Sequence, residues 1–529
     1  MKYISDLHIH SYYSRATSKQ LNLEHLNKWA QIKGLQVIAT GDITHPQWLE
    51  EMREKLEPDG TGFFKLKPEY QKQTQSEVPK ACESEVRFIL SGEISSIYKK
   101  GERVRKNHNV VFFPSLDAVQ AFQNTLDRIG NIHSDGRPIL GLDARDLLEI
   151  VLDTHDQGYL IPAHIWTPWF SLFGSKSGFD RIQDCFEDLT PHIFALETGL
   201  SSDPPMNWRL SALDGYTLVS NSDAHSPAKL AREANIVDTD LSYSGLFDAI
   251  RSGDSFLGTI EFFPEEGKYH MDGHRKCSCM MRPPETMAHD HLCPECGKPV
   301  TLGVSYRVEQ LADRPPGFRP ESAPPFHSLI PLPEVLSEVM QVGPQSKRVN
   351  TAYFKLLNNL GSELSILVDI PIDDIQRAGG DLTAKAVKRM RAGEVNPQPG
   401  YDGEFGVIRI FKPGEREKIM NQDALFQPSS KSVLKKKPQK QSLRTEPENK
   451  AADQKEPYGI NEDQEAAIRH RGSPLIVQAG PGTGKTHTLT HRIASLIETG
   501  DTPPDAILTI TFTHKAAEEI ATASVPAFG

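Results

Sequence analysis

Histidines and carboxylates recur in this chain wherever a short apolar run stops. The first case is Asp6-Leu7-His8-Ile9-His10, an apolar/polar alternation that reads as a β-strand with Asp6, His8 and His10 on one face. Two imidazoles two residues apart can share one metal ion. The pattern returns in Thr40-Gly41-Asp42-Ile43-Thr44-His45, Leu90-Ser91-Gly92-Glu93, Asn107-His108, Ile161-Pro162-Ala163-His164, Leu196-Glu197 and Ser220-Asn221-Ser222-Asp223-Ala224-His225. Each follows a strand-like segment, such as residues 36–40, 87–90 or 217–219. A closed or nearly closed barrel brings ligands from so many strand ends to one mouth, which an open doubly wound sheet with scattered histidines does not. Helical patterns at 23–33, 116–129, 144–158 and 243–252 alternate with the strands, so the class is α/β.

The length of 529 residues allows two or more domains, and the net charge of -11 argues against a generally basic nucleic-acid coat. A basic groove remains compatible with that total. Of the six cysteines, Cys82 and Cys185 stand alone while Cys277, Cys279, Cys293 and Cys296 crowd together, which points to reduced thiols, one metal cluster and a cytoplasmic setting. No leader opens the chain and no apolar run reaches membrane length, so a soluble protein is expected.

The first motif, Gly92-Glu93 and Ser222-Asp223-Ala224-His225 resemble the metal motifs of the polymerase and histidinol phosphatase (PHP) domain. That resemblance implies a distorted (β/α)7 barrel that hydrolyses phosphate esters with up to three metal ions. More narrowly, Ser14-Arg15-Ala16-Thr17-Ser18-Lys19, Pro162-Ala163-His164-Ile165-Trp166-Thr167-Pro168-Trp169-Phe170 and Leu196-Glu197-Thr198-Gly199-Leu200-Ser201-Ser202-Asp203 resemble endonuclease Q, over residues 1–411. Arg15 replaces an acidic residue of the wider PHP pattern and Ile43 a histidine, departures that endonuclease Q shares. His8, His10, Asp42, His45, Glu93, His108, His164, Glu197, Asp223 and His225 are the candidate ligands for zinc, manganese or magnesium. Asp223 is the candidate catalytic residue, placed to touch the metals and the attacking water.

Trp166, Trp169, Phe170, Ser175 and Lys176 lie in an aromatic, glycine-containing stretch that reads either as packing or as a loop that meets a displaced nucleotide. Arg209 either anchors a helix start or holds a phosphate. Cys293-Pro294-Glu295-Cys296-Gly297-Lys298 has the form of a zinc knuckle. Cys277 and Cys279 complete a candidate structural zinc set, with His274, His289 or His291 as alternatives to Cys279.

The expected domains are a barrel over 1–265, a zinc ribbon over 266–321, a helical domain over 322–411, a disordered linker over 412–458 and a partial P-loop domain over 459–529. In the helical part, 332–342, 346–360, 373–378 and 382–393 read as helices and 399–411 as a turn into a strand. The resemblance to endonuclease Q implies that this domain grips DNA. The linker is polar and carries Lys435-Lys436-Lys437-Pro438-Gln439-Lys440. In the tail, Ala479-Gly480-Pro481-Gly482-Thr483-Gly484-Lys485-Thr486 forms a P-loop pattern with Ala479 at the first glycine position. Gly482, Thr483, Gly484, Lys485 and Thr486 are its phosphate and magnesium candidates. With residues 507–520 it resembles the start of a UvrD-type helicase, which implies that Gln464 reads the adenine of ATP. No second motor domain follows, so ATP-driven unwinding is not expected.

The resulting expectation is a metal-dependent DNA repair endonuclease. By the resemblance, it cuts 5′ to a deaminated base (hypoxanthine, uracil or xanthine) or an abasic site and leaves a 3′-hydroxyl and a 5′-phosphate. Damaged DNA is then the partner, with a sliding clamp or other repair proteins as further candidates. The alternatives are a small-molecule phosphoesterase and a non-catalytic DNA-binding protein switched by ATP.

Overall fold

The computed structural model describes residues 1–417, 419, 462–472, 475, 477, 485–503 and 506–509. The chain divides into two compact units, Met1–Ser429 and Ser430–Gly529.

The first unit is mixed α/β. Its strands are β1 (Lys2–Asp6), β2 (Val37–Ala39), β3 (Leu56–Pro58), β4 (Phe64–Leu66), β5 (Arg87–Lys100), β6 (Arg103–Phe113), β7 (Ile139–Leu140), β8 (Tyr159–Pro162), β9 (Ala195–Glu197), β10 (Thr217–Val219), β11 (Ala234–Asp238) and β12 (Phe256–Glu261). β1, β2 and β5 pair in parallel, and β6 runs antiparallel between β5 and β8. β9 and β10 form a separate parallel pair. Two seams join that pair to the rest. Ile165 N–H donates to the Glu197 carbonyl at 3.0 Å, and Asp223 N–H donates to the His8 carbonyl at 2.9 Å. Ile9 also bridges Ala224 in parallel. The order β1-β2-β5-β6-β8-β9-β10 therefore returns to β1, whose other flank carries the antiparallel β11. β2 and β8 are apolar and buried along their whole length, as strands covered on both faces must be.

Helices of the barrel follow the sequence pattern closely. Leu23–Lys33 starts where the Asn22 side chain accepts the His25 N–H and stops at Gly34 with φ 95°. Tyr243–Ser252 is capped by Ser242 and Gly253 in the same way. Two helices end before their predicted limits, Leu116–Leu126 and Ala144–Thr154. The second is stopped by a turn in which Gly158 N–H reaches the His155 carbonyl at 2.8 Å.

The zinc-ribbon-like region contains β13 (Asp272–His274) paired antiparallel with β14 (Cys279–Met281). It has its own small core of Met281, Cys293 and Val300. β15 (Phe326–Ser328) then adds in parallel to β12. Helices Leu332–Met340, Lys347–Leu360, Glu363–Val368, Ile372–Gly379 and Asp381–Arg391 follow, and β16 (Asn396–Gln398) pairs with β17 (Val407–Arg409). A buried ion pair ties these helices to the barrel: Lys33 Nζ lies 2.5 Å from Glu363 Oε2, which also accepts the Tyr353 hydroxyl at 2.6 Å.

In the second unit, helices Glu462–Arg469 and Lys485–Glu498 bury Ala467, Ile468 and Ile493. The basic run at 435–440, the loop at 479–484 and the stretch 513–520 lie outside the described residues.

Candidate metal centre

β1 ends at Asp6, and His8 and His10 stand in the extended stretch beyond it. Asp6 is not aimed at the mouth. Its carboxylate accepts the N–H groups of Ser222 and Ala231, each at 3.0 Å, and fastens the first motif to the last. Gly41 passes so close to the first motif that a Cβ there would lie 2.6 Å from the Ile9 carbonyl oxygen. β5 runs on past Leu90 to Lys100, so Glu93 projects from within a strand rather than after one.

Two groups of side chains converge on Glu93. His8, His10, Glu93 and Asp223 present donor atoms within 4.8 Å of one another, and so do Glu93, His108 and His164. In the first group, His10 Nε2 lies 2.9 Å from Asp223 Oδ1 and 3.4 Å from Glu93 Oε2. His8 Nε2 points at the same two carboxylates from 3.9 and 3.7 Å. In the second, His108 Nδ1 and His164 Nε2 approach Glu93 Oε1 to 2.5 and 3.1 Å. Glu93 and both histidines of the first motif are completely or almost completely buried, whereas Asp223 remains 25% exposed at the opening.

Asp42 and Glu197 stand outside both groups, behind the imidazoles. Glu197 brings both oxygens to 3.0 Å from His8 Nδ1 and also accepts the His164 N–H and the Asn221 amide, each at 2.8 Å. Asp42 lies 3.2 Å from His10 Nδ1 and accepts from Ser11 and Ser14. A carboxylate on Nδ1 fixes that nitrogen as the donor and leaves the Nε2 lone pair facing the cluster. His8 Nε2 is indeed buried and makes no hydrogen bond. An unsatisfied imidazole nitrogen aimed at two carboxylates fits a divalent cation.

The electrostatics agree. Burial pushes Glu93 up, but His108, His10 and His164 outweigh it and hold the carboxyl well below its ordinary value. Burial also opposes the charge on His8 and His10, yet Glu197 and Glu93 for the first, and Asp223, Asp42 and Glu93 for the second, raise them well above the usual imidazole range. The cluster thus draws positive charge toward its carboxylates, the polarity that suits a bound cation.

Three residues here have left-handed backbone without being glycine: Asp42 at φ 51°, His164 at 30° and Asp223 at 46°. Such strain persists where the surroundings fix it, typically at functional sites. His225 packs its ring 4.6 Å from that of His10 and takes the Asp223 carbonyl on Nδ1, but joins neither group. His45 stacks on Tyr13 and meets the His133 carbonyl, away from the cluster.

Of the aromatic stretch, Trp166 is buried, with its indole N–H on Asn207 Oδ1 at 2.7 Å, so it is packing. Trp169 is exposed beside Tyr269. Phe170 lies between His108 at 4.9 Å and the Lys106 ammonium at 5.3 Å. Ser175 and Lys176 are exposed along a hollow shared with Arg103. Arg209 pairs with Glu309 at 2.6 Å and anchors the chain between the two.

At the ribbon, Cys277, Cys293, Cys296 and His274 converge within 4.8 Å. Cys279 stands outside that group and, like Cys277, packs against the small core that Cys293 shares with Met281 and Val300. Burial alone would raise the Cys293 thiol, but the backbone N–H groups of Glu295 and Cys296 bring it down to about 6, which favours the thiolate a metal needs. In the second unit, Gln464 lies on the Glu462–Arg469 helix. Gly482, Thr483 and Gly484 fall outside the described residues, and Lys485 and Thr486 open the helix Lys485–Glu498.

The sequence pattern missed Arg137 and Asn221. Asn221 had a signal, its place in Ser220-Asn221-Ser222-Asp223; Arg137 had none, being one arginine in a polar loop.

Among known proteins, the UvrD/REP helicase N-terminal domain family matches residues 460–526, and the MJ0043 C-terminal domain family matches residues 331–394. The uncharacterized protein MJ0043 of Methanocaldococcus jannaschii is 32% identical over 262 residues, which cover 48% of this chain and 32% of that protein. The chain therefore matches about a third of the length of that relative. The uncharacterized protein YqxK of Bacillus subtilis is 28% identical over 430 residues, 77% of this chain and 99% of that protein. The helicase PcrA of Staphylococcus epidermidis is 51% identical over 61 residues, 12% of this chain and 8% of that protein. Among solved structures, the lesion-specific endonuclease Q of Pyrococcus furiosus superposes with a TM-score of 0.68 at 31% identity, covering 80% of this chain and 99% of that one. An endonuclease Q bound to a 27-mer duplex with an abasic lesion at its active site gives 0.66 at 31%, covering 78% and 97%. The chain belongs to the endonuclease Q family and carries, after that region, a segment similar to the start of a UvrD-type helicase.

Proposed function

We propose that this protein is a metal-dependent DNA repair endonuclease that incises on the 5′ side of a deaminated base or an abasic site. The observation that carries the reading is the convergence of two ligand groups on the single carboxylate of Glu93, with Asp223 open to the mouth. His8, His10, Glu93, His108, His164 and Asp223 would hold divalent ions, which supply positive charge for the phosphodiester and lower the proton affinity of water. Glu197 and Asp42 keep the imidazoles of His8 and His10 in the ligating tautomer. Asp223, the exposed carboxylate of the group, accepts a proton of the attacking water. The water oxygen bonds to phosphorus, the P–O3′ bond breaks and the 3′-oxygen takes a proton from solvent water while Asp223 returns its own to solvent, giving a 3′-hydroxyl and a 5′-phosphate. The choice of lesion rests on the likeness to endonuclease Q, one of whose structures holds an abasic duplex.

Phe170, which packs on His108, is assigned with Trp169 and Lys176 to the displaced nucleotide and its phosphates. The ribbon takes a structural zinc, and the Lys485–Thr486 segment is assigned to ATP with magnesium on the strength of the helicase likeness. The deciding assay uses end-labelled duplexes bearing hypoxanthine, uracil or an abasic site beside an undamaged control, with magnesium, manganese or zinc. A lesion-dependent 5′ cut that Asp223→Asn loses while keeping its fold is expected. Absence of any cut by the wild-type protein would overturn the reading.

A further inference from the structure

The loop between the Leu116–Leu126 helix and β7 carries a guanidinium into the cluster. Arg137 Nη1 lies 3.1 Å from Glu93 Oε2, and the side chain keeps 30% of its surface exposed. Its Nε and Nη2 make no hydrogen bond among the described residues. Asp223 also lies within its electrostatic reach, as do the imidazoles of His108 and His225. The guanidinium therefore faces both ligand groups and the opening between them.

The placement is built in. Gly136 N–H donates to the Tyr13 carbonyl at 3.1 Å, and its own carbonyl accepts the Thr44 hydroxyl at 3.0 Å. The His133 carbonyl meets His45 Nε2 at 3.0 Å, and Asp135 pairs with Arg15 at 3.2 Å. On the far side of Arg137, the Pro138 carbonyl accepts the Ser95 N–H of β5 at 3.0 Å. Gly136 is the tightest point, since a Cβ there would stand 2.2 Å from Asp42 Oδ2 and 2.7 Å from Ser14 Oγ. The first two motifs thus clamp the loop on one side and β5 clamps it on the other.

A fixed cation beside a site that gathers divalent cations is repelled by them unless an anion lies between. Glu93 is one such anion, and it engages a single nitrogen of a fork that has five N–H donors. The remaining donors make no hydrogen bond among the described residues while the side chain stays 30% exposed, and the planar fork matches two oxygens of a phosphate. A preorganised cation there stabilises the charge that grows on those oxygens as the phosphorus is attacked. Resting on the phosphodiesterase reading above, we propose that Arg137 is a catalytic residue that grips the non-bridging oxygens of the scissile phosphodiester while Nη1 stays on Glu93. It binds and stabilises without gaining or losing a proton.

The test compares wild type, Arg137→Ala and Arg137→Lys as full chains loaded with manganese. Single-turnover incision of an abasic duplex is read beside hydrolysis of bis(p-nitrophenyl) phosphate, a diester without a lesion. The expected result is a loss of about 100-fold or more in Arg137→Ala on both substrates, a smaller loss in Arg137→Lys and partial recovery of Arg137→Ala with ethylguanidinium. Metal content per chain should stay at the wild-type value, and affinity for the duplex in chelator should fall by about tenfold in Arg137→Ala. Wild-type rates in Arg137→Ala would overturn the role, and so would a loss that tracks missing metal, because Arg137 would then only anchor Glu93. If wild type hydrolyses the simple diester but spares the abasic duplex, the lesion reading fails and the Arg137 comparison still stands on the diester. If wild type hydrolyses neither, unchanged duplex affinity in Arg137→Ala overturns the phosphate contact as well.

Discussion

Glu197→Gln is the change whose effect can be worked out most fully. Both carboxylate oxygens lie 3.0 Å from His8 Nδ1, and each has a second donor: the Asn221 amide on Oε1 and the His164 N–H on Oε2, both at 2.8 Å. A glutamine keeps one oxygen. If its amide nitrogen replaces Oε1 it opposes the Asn221 N–H, and if it replaces Oε2 it opposes the backbone of His164. Asn221 cannot turn round to help, because its Oδ1 already accepts the Leu7 N–H at 2.8 Å and the Asn235 amide at 2.9 Å. One buried donor is left facing another, at a cost of about 1–3 kcal/mol. The new amide also favours Nδ1 of His8 as acceptor, which moves the ring proton to Nε2 and blocks the lone pair that faces Asp223 and Glu93. Disturbing such an outer partner lowers metal affinity by about 10–100-fold. Urea unfolding and competition against a chromophoric chelator read the two effects separately. The number of ions bound at saturation should not change. Stability and affinity both equal to wild type would refute the assignment of Glu197 as the partner that sets the His8 tautomer.

Glu363→Ala strands the buried ammonium of Lys33 and the hydroxyl of Tyr353, so it should destabilise the first unit by about 3–5 kcal/mol in urea unfolding, with Glu363→Gln milder. Glu261 is fully buried, and burial raises its carboxyl to about 8 from an ordinary 4.5. Between those values the unfolded chain has released this proton and the folded chain keeps it, so its contribution lowers stability as pH rises from 4.5 to 8. Glu261→Gln should flatten that part of the pH–stability curve, and an unchanged slope would count against a protonated Glu261. At the ribbon, His274→Ala should release zinc to a chelator faster than wild type, while Cys279→Ala should not, as followed by a dye that reports free zinc.

Local patterns made much of the architecture legible. Residues 23–33 and 243–252 carry their own start and stop signals, an Asn or Ser cap and a terminal glycine, and the helices fall there. The gathering of His8, His10, His164 and Asp223 followed from polar residues at the ends of apolar runs, because one mouth collects what many strands deliver, whereas Glu93 and His108 join them from within the long paired strands β5 and β6. What stayed hidden depends on contacts distant in sequence. Whether Asp42 and Glu197 face the common point or stand behind an imidazole is set by Ser11, Asn221 and the backbone of His164, none of which a motif specifies. Arg137 reaches Glu93 only because a loop is fastened to Tyr13, Thr44 and Ser95. His274 joins Cys277, Cys293 and Cys296 although it is distant from the knuckle in sequence, and nothing in the Cys-x-Cys pattern marks it over Cys279. The apolar run of β5 stops at Leu90, and pairing with the whole of β6 carries the strand on to Lys100.

Glu93 places one oxygen in each ligand group, and this couples how the two halves fill. On the two-group reading proposed above, an ion in either half would hold the shared carboxylate against His8 and His10 or against His108 and His164, and so would change the affinity of the other half. Where that coupling outweighs the repulsion between two divalent ions on one carboxylate, loading would be cooperative, and at limiting metal the population would divide between chains that hold a complete set and chains that hold none. Activity should rise with metal concentration more steeply than a single-site curve, so the protein would respond to a narrow band of available metal rather than in proportion to it.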